Sequence, residues 1–241
     1  MAGWRLSRSG RKVRVRHFAA SPRGIALCRR CSSFHSGCIM QLERLTGETA
    51  MGKLFLQINV SVDGFIEDEA GQMDWRFVDD EFEAFINDTL ASLDAMVFGR
   101  RAFELLQQYW PTAAANEGIS AHHAAAAAMM NSLPKYVVST GLSAPSWSNA
   151  HVLADLSGVA GLKQRSTRDI ALFAGAGIAR SAMAAGLVDE YRLIVNPALI
   201  AGGIRLFDGG YARANLALAD VRRFASGALL LTYRPGELRL D

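Results

Sequence analysis

The segment Gly175-Ala176-Gly177 has the composition of a phosphate-binding turn. It follows an apolar stretch typical of a buried strand and precedes a stretch with helical spacing. A glycine turn lets the backbone approach a ligand closely, and a helix N-terminus offers unpaired N–H groups and the positive end of the helix dipole. The segment lacks a complete dinucleotide fingerprint, because Arg180 stands where the last glycine would be. A tight turn without a ligand is therefore the alternative.

Gly99-Arg100-Arg101 is a second candidate for phosphate binding, predicted to lie where a strand passes into a helix. Guanidinium groups bind phosphate bidentately, and two adjacent cations with no acid beside them suit the 2′-phosphate of NADP. Ser139 and Thr140 end another predicted strand, where open α/β sheets bind their ligands, and could bond ribose or phosphate. A solvated arginine pair and strand-end capping are the alternatives.

Acidic residues cluster in the first loop and at the start of the first helix, among them Asp63, Asp80 and Glu81. A buried carboxyl there could polarise or protonate a heterocycle, although the helix dipole also favours acids in a first turn. No set of ligating residues in 51–241 has the spacing of a metal site, so none is expected. Three histidines lack partners at useful spacing and are interpreted as surface residues: His122, His123 and His151.

The elements that must position these groups alternate between strand and helix. Apolar stretches predict strands at 54–60, 95–98, 135–140, 170–174 and 190–196, with a further short one at 152–153. Helical spacing predicts helices at 79–93, 102–109, 120–132, 155–164 and 178–185. Residues 225–227 predict the turn of a closing hairpin. This order predicts one α/β domain over 51–241, with a mixed, mainly parallel sheet, helices on both faces and a C-terminal antiparallel hairpin.

Composition separates residues 1–50 from the rest of the 241-residue chain. The formal net charge of +3 divides into +8 for residues 1–50 and −5 for residues 51–241. A mildly acidic main part argues against a nucleic-acid binder. No apolar run approaches the ~20 residues needed to span a bilayer, so no membrane association is expected. All three cysteines lie in the first part, which leaves the main part without a disulfide framework: Cys28, Cys31 and Cys38.

Residues 1–50 are expected to be a basic, disordered extension, and three interpretations stay open. Their Arg- and Ser-rich, acid-poor composition suits an organellar transit peptide. It also suits an arm for nucleic acid or anionic lipid, or a segment ahead of a true start at Met51. The set Cys28, Cys31, His35 and Cys38 could bind zinc, but its spacing misses the usual patterns and chance clustering is favoured. A cytoplasmic location is expected unless residues 1–50 are a transit segment.

The order of motifs over 51–241 resembles the dihydrofolate reductase-like superfamily. It is most similar to the reductase domain at the C-terminus of the bifunctional riboflavin-biosynthesis deaminase-reductase, and to its stand-alone relatives. The deaminase's zinc signature is absent from the sequence, so the resemblance concerns only the reduction half. The motifs that carry it are Ser-Val-Asp-Gly-Phe-Ile at 61–66, Asp-Trp at 74–75, Val-Phe-Gly-Arg-Arg-Ala-Phe-Glu at 97–104, Lys-Tyr-Val-Val-Ser-Thr at 135–140, Phe-Ala-Gly-Ala-Gly at 173–177 and Gly-Leu-Val-Asp-Glu-Tyr-Arg-Leu at 186–193.

The resemblance implies a homodimeric, NADPH-dependent oxidoreductase that transfers hydride to a ribosylaminopyrimidine or pteridine-like heterocycle, as in riboflavin biosynthesis. Asp63 and Asp80 would be the catalytic acids, with Glu81 nearly as good as Asp80 in register. The loop that faces nicotinamide and substrate would include Ser61, Gly64 and Phe65. NADPH would be held by Gly99, Arg100, Arg101, Ser139, Thr140, Gly175, Ala176, Gly177 and Ile178.

Two departures from the family pattern concern the cofactor. The usual Gly-Arg-x-Thr ends in Ala102 here, which removes a hydroxyl that would bond the cofactor. The usual Gly-Gly pair reads Gly175-Ala176, and the cis peptide that this pair adopts in dihydrofolate reductases costs more for a non-glycine residue. The alternative interpretation is therefore a non-catalytic, dimeric binding module that kept the fold.

Overall fold

The computed structural model describes residues 3–6, 12–15 and 52–236 of two compact units, Met1–Gly47 and Glu48–Asp241. In the first unit, β1 (Gly3–Leu6) pairs antiparallel with β2 (Lys12–Val15). The zinc candidates Cys28, Cys31, His35 and Cys38, and the candidate start Met51, lie outside the described residues. The interpretations of residues 1–50 therefore stay predictions.

The second unit alternates strands with helices. Its strands are β3 (Leu54–Ser61), β4 (Phe65–Glu67), β5 (Leu93–Gly99), β6 (Lys135–Val138), β7 (Ala150–Leu153), β8 (Asp169–Phe173), β9 (Glu190–Asn196), β10 (Ile204–Arg205), β11 (Asn215–Arg223) and β12 (Leu229–Gly236). Its helices are α1 (Asp80–Ala91), α2 (Arg100–Leu106), α3 (Trp110–Ala113), α4 (Ala121–Ser132), α5 (Leu156–Arg165) and α6 (Ala176–Ala184). Within the described range, no helix combines the length and apolarity that crossing a membrane requires.

Eight of these strands form one sheet in the order β11-β12-β9-β3-β8-β5-β6-β7. The six strands from β9 to β7 run parallel to one another. At the other edge β12 runs antiparallel to β9, and β11 runs antiparallel to β12. The predicted mixed, mainly parallel sheet with a closing hairpin is thus confirmed. Since the six parallel strands end on one edge, the loops after them meet there.

Helices cover both faces of the sheet, as the alternation along β3 requires. Leu54 and Leu56 point to the face covered by α5 and α6, and Phe55 points to the face covered by α1, α2 and α4. By the same alternation Gln57 and Asn59 share the face of Phe55. Two polar side chains therefore lie on this face of the central strand, near its carboxyl end.

Two short features differ from the sequence-based expectation. The strands β4 and β10 form a separate two-stranded antiparallel sheet, which is too short for a periodic pattern to predict. The helix expected to stop at Pro111 ends at Leu106, and α3 begins at Trp110 with the proline inside its first turn. Proline is tolerated in a first turn because the N–H it lacks has no helical partner there.

Lys135 is fully buried at the start of β6, where it completes the C-terminus of α4. Its Nζ donates to the carbonyl oxygens of Met130 at 2.7 Å, Asn131 at 3.2 Å and Leu133 at 2.7 Å, and lies 4.7 Å from the Trp147 ring centroid. Burial lowers the pKa of Lys135 from 10.5 to about 8. The ammonium therefore satisfies carbonyls that the end of the helix leaves without donors.

Candidate functional site

Three cavities share walls along the carboxyl edge of the parallel strands. The glycine-loop cavity, of about 460 Å³, lies against residues 99–102 and 175–178. The middle cavity, of about 410 Å³, shares Arg101 and Gly175 with it. The outer cavity, of about 520 Å³, shares Gln57 and Phe173 with the middle one and extends to α1 and α4. Together they form a single cleft with three sections.

The glycine loop leaves open space in front of α6. Gly175 is the N-cap, with φ −79° and ψ 168°, and the described peptide bonds are all trans. A Cβ added at Gly175 or Gly177 would meet no heavy atom of the described residues within 4 Å. Neither glycine is needed for packing or for a left-handed backbone, so the space they leave suits an anionic group bound to the helix N-terminus. A phosphate-bearing ligand is therefore compatible with this part of the chain.

Gly99 has a different role from the two glycines of the loop. A Cβ at this position would lie 2.9 Å from Cγ2 of Ile178, closer than real contacts allow. The end of β5 can therefore approach α6 only because residue 99 is glycine. Gly99 and Ile178 both line the glycine-loop cavity, so their close contact forms part of its wall.

The two arginines of this cavity already have acidic partners, unlike the unpaired cations expected from the sequence. Arg100 Nε donates to Glu104 Oε1 at 2.7 Å, one helical turn ahead. Arg101 Nη2 donates to Glu67 Oε2 at 2.8 Å, across the wall shared with the middle cavity. Since a guanidinium has five N–H donors, both can still bind a phosphate.

Ser139 and Thr140 do not line any of the three cavities. Ser139 Oγ accepts from the backbone N–H groups of Gly141 at 3.2 Å and Leu142 at 3.1 Å, which closes a turn after β6. Thr140 is exposed beside it. The geometry favours the strand-end capping alternative for Ser139 and leaves cofactor binding by this pair a prediction.

The loop of Ser61, Asp63, Gly64 and Phe65 lines none of the three cavities. Asp63 Oδ2 accepts from the backbone N–H groups of Ile200 at 3.0 Å and Ala201 at 2.8 Å. Ser61 Oγ donates to Asp63 Oδ1 at 2.5 Å and accepts from the Phe65 N–H at 2.9 Å. The next residues, Ile66 and Glu67, enter the middle cavity instead.

Asp63→Asn is expected to lower the melting temperature at pH 7 by about 2–4 °C. Hydrogen bonds from Ser61, Ala201 and Ile200 lower the pKa of Asp63 below 3.8. The ionised form therefore stabilises the folded state above that pH, and the contribution disappears as the pH falls through the lowered value. Circular dichroism melts at pH 7 and below pH 3.8 would measure this, with the exposed Asp220→Asn as control. An unchanged melting temperature together with lost turnover would instead support the catalytic role expected for Asp63.

The acids at the start of α1 do not enter the cleft. Asp80 is exposed. Glu81 pairs with Arg222 of β11 at 2.9 Å, and the N-cap Asp79 accepts from the Ser226 N–H at 2.7 Å, so both hold the closing hairpin. One turn further on, Glu83 lines the outer cavity. Glu83 is thus the acid of α1 that lines the cleft, and the two candidates expected from the sequence, Asp80 and Glu81, do not.

Gln57 is the buried polar group most in need of a ligand. It is 5% exposed and lines both the middle and the outer cavity, and its Oε1 has no hydrogen-bond partner among the described residues. A buried acceptor without a donor costs about 1–3 kcal/mol. Asn59 beside it accepts from Asn196 Nδ2 at 3.1 Å. The sequence carries a signal for this site, since Gln57 is a polar residue within the apolar run of β3, but it belongs to none of the motifs described above.

Arg76 is a cation at the wall shared by the middle and outer cavities. Its Nε donates to the carbonyl of Met73 at 2.9 Å, and no described carboxylate forms an ion pair with it. The side chain is exposed to solvent, yet desolvation by the surrounding protein lowers its pKa below the usual value for arginine. Such a cation suits an anionic group bound in the cleft. The described residues contain no group of three or more His, Cys, Asp or Glu that could hold a metal ion.

Comparisons with known proteins agree with this architecture. Residues 52–230 match the RibD C-terminal domain. The uncharacterized protein YyaP of Bacillus subtilis is 31% identical over 193 residues, which cover 78% of this chain and 98% of YyaP. Acinetobacter baumannii RibD has the same fold at 13% identity, with a TM-score of 0.55 over 82% of this chain and 61% of that one.

A dihydrofolate reductase from Enterococcus faecalis, solved with NADP(H) and RAB-propyl, also shares the fold. It is 10% identical, with a TM-score of 0.54 over 78% of this chain and 98% of that one. These structural likenesses confirm a dihydrofolate reductase-like fold. The match of the domain family covers most of the second unit, including β3, the glycine loop and every wall of the cleft. The chain therefore belongs to the RibD C-terminal domain family.

Proposed function

We propose that this chain is an NADPH-dependent reductase of a ribosylaminopyrimidine or a related heterocycle. The observation that carries the proposal is a single cleft in which the open N-terminus of α6 and the unpartnered Gln57 are joined through the middle cavity. NADPH supplies a hydride when bound. The backbone of Gly175 and Gly177 would bind its pyrophosphate, with Ala176 and Ile178 beside them and Arg100 and Arg101 nearby.

The polar groups of the middle cavity would orient the two reactants. Gln57 can accept from an amide or amino N–H, which satisfies its buried oxygen. Phe173 and Leu106 are apolar and line both the middle and the outer cavity. These walls exclude water from planar rings bound between them. The proposal places the nicotinamide in the middle cavity and the heterocycle in the outer one.

Arg76→Gln is expected to raise the KM for a phosphorylated ribosylaminopyrimidine about 10–100-fold. The guanidinium has no described acidic partner and can form a charge-assisted hydrogen bond worth about 1.5–3 kcal/mol with the substrate's phosphate. Steady-state kinetics would measure this, with exposed Arg213→Gln as the matched control. An equal loss with the dephosphorylated nucleoside would contradict a role in binding the phosphate.

Titration of the full chain with NADPH tests the proposal directly. The reduced nicotinamide of NADPH is itself fluorescent, so its binding in the middle cavity should change that fluorescence in a saturable way. NADPH oxidation is then followed with 5-amino-6-(5-phosphoribosylamino)uracil and with dihydropterins. Absence of saturable binding at millimolar NADPH would refute the proposal. Saturable binding without oxidation by any of these substrates would favour the non-catalytic binding module.

The proposal extends to a homodimer in the cytoplasm. The edge strand β11 exposes a row of apolar side chains that a second copy of the chain could cover: Leu216, Leu218 and Val221. An exposed apolar edge strand is unusual for a monomer. Sedimentation equilibrium of the full chain would give the oligomeric state.

A further inference from the structure

A cluster of titratable side chains lines the outer cavity and has no part in binding the cofactor as proposed above. Tyr109 Oη lies 2.6 Å from Nε2 of His123. The other ring nitrogen of His123, Nδ1, lies 3.8 Å from Oε1 of Glu83. Tyr109, His123 and Glu83 all line the outer cavity, and they come from the α2–α3 connection, α4 and α1. The fold thus brings a hydroxyl, an imidazole and a carboxylate into one row at the cleft.

The surroundings hold the imidazole in place. The His123 ring stacks on Trp110 with centroids 5.4 Å apart and an interplanar angle of 17°. The N-cap Ser120 accepts from the His123 N–H at 2.9 Å and donates its Oγ proton to Glu83 Oε2 at 2.6 Å. His123 and Glu83 are only partly exposed, with 26% and 22% of their side chains accessible. His123 therefore has a hydrogen-bond partner for Nε2 and a carboxylate near Nδ1, which an ordinary surface histidine lacks.

The partners determine where protons can lie. Nδ1 lies 3.8 Å from the Glu83 carboxylate, too far for a hydrogen bond, but the negative charge favours the neutral tautomer that carries its proton on Nδ1. Nε2 faces a hydroxyl, which can donate or accept. When the ring takes a second proton, Nε2 donates to Tyr109 Oη and the phenolic hydrogen is free to donate elsewhere. The other charged or titratable groups at this cavity are Arg76 and His122.

We propose that Tyr109 donates the proton that a C=N bond of the substrate, in a heterocycle or in the ring-opened imine of a ribosylamine, needs when it is reduced in this cleft, and that His123 and Glu83 are positioning residues which supply and orient that proton. This inference rests on the proposed reductase function. The substrate carbon gains the hydride, the π electrons move to the nitrogen of the C=N bond, and that nitrogen takes the proton from Tyr109 Oη. The tyrosine oxygen recovers a proton from His123 Nε2, and the neutral imidazole is reprotonated by solvent. The reduced product has gained one hydride and one proton.

Tyr109→Phe tests this step, because it removes one oxygen and keeps the ring. We expect kcat to fall at least tenfold, since general acids contribute about 10²–10⁴-fold and water can partly replace the hydroxyl. The Kd of NADPH should stay within twofold of the wild-type value. His123→Gln should also lower kcat and remove the basic limb of its pH profile. The same substitutions in a second tyrosine–histidine pair serve as controls. Tyr136 and His151 stack with ring centroids 5.3 Å apart on β6 and β7, and they line none of the three cavities.

Nitrogen NMR of the unliganded protein provides a readout independent of turnover. Side-chain ¹⁵N shifts should assign the Nδ1–H tautomer to neutral His123, and Glu83→Met should return it to the Nε2–H form that free imidazole prefers. An Nε2–H tautomer in the wild type, or a normal kcat in Tyr109→Phe, would overturn this inference and leave the reductase function standing. No NADPH oxidation by the wild type would overturn the proposed function and this inference with it.

Discussion

Gly175→Val is expected to weaken NADPH binding about 100-fold while the protein stays folded. The valine side chain would occupy the open space in front of α6, where no heavy atom in the described part of the chain lies within 4 Å of the added Cβ. The backbone at Gly175, φ −79° and ψ 168°, is accessible to any residue, so the substitution causes no backbone strain. Loss of one or two charge-assisted hydrogen bonds to the pyrophosphate, at about 1.5–3 kcal/mol each, corresponds to this change in Kd.

Fluorescence titration gives the Kd, and circular dichroism melts show whether the fold is kept. Ala184→Val is the control, because it creates the same valine side chain at an exposed position at the other end of α6. Unchanged NADPH affinity in Gly175→Val would move the cofactor out of the glycine-loop cavity. A melting temperature lowered far more than in Ala184→Val would mean that the space is needed for packing.

Lys135→Met is expected to destabilise the protein by about 2–4 kcal/mol at pH 7. Pro134 has no N–H, so it cannot donate to the carbonyl of Met130 as the next helical residue would. The ammonium of Lys135 supplies that donor at 2.7 Å and a second one to Leu133. Methionine fills the space but leaves both buried carbonyls unpaired, at about 1–3 kcal/mol each. Urea unfolding would measure the difference.

The same pair of proteins gives a pH test of the same sign as that of Asp63, in a more alkaline window, because both pKa values are lowered in the folded state. Burial lowers the pKa of Lys135 to about 8, so between pH 8 and 10.5 the unfolded chain binds a proton that the folded protein has lost. The stability of the wild type relative to Lys135→Met should therefore rise with pH in this window, by up to roughly 3 kcal/mol. A difference that stays flat from pH 7 to 10 would show that the carbonyls and the Trp147 ring keep the amine charged.

Local sequence patterns predicted the fold and part of the cleft. Apolar stretches bounded by glycine and proline located the strands, and a glycine turn between strand and helix located the N-terminus of α6. The helix acid was harder to locate, because helical periodicity cannot tell which of several acids in a first turn faces a neighbour. Glu83 rather than Asp80 or Glu81 lines the cleft, since Phe82 and Leu90 fix the buried side of α1.

The rest of the candidate site could not be read from spacing. Tyr109 and His123 are 14 residues apart, and Glu83 lies 40 residues before His123. They meet only because α1 packs against α4 and the connection after α2 returns beside them. His123 therefore looked like a surface residue in the sequence. Partners supplied by separate helices are tertiary information that no local window contains.

The position of β3 in the sheet determines when the protein can fold during its synthesis. This strand is the first of the second unit, yet its two neighbours in the sheet are β8 and β9, which begin more than 100 residues later. An apolar strand thus leaves the ribosome well before its partners exist. Sheets closed by such distant pairings form slowly and expose their strands meanwhile. The nascent chain should therefore depend on chaperones until residue 196 has emerged. The cleft cannot form before then, because the central strand β3 has no partner until β8 and β9 have been synthesised.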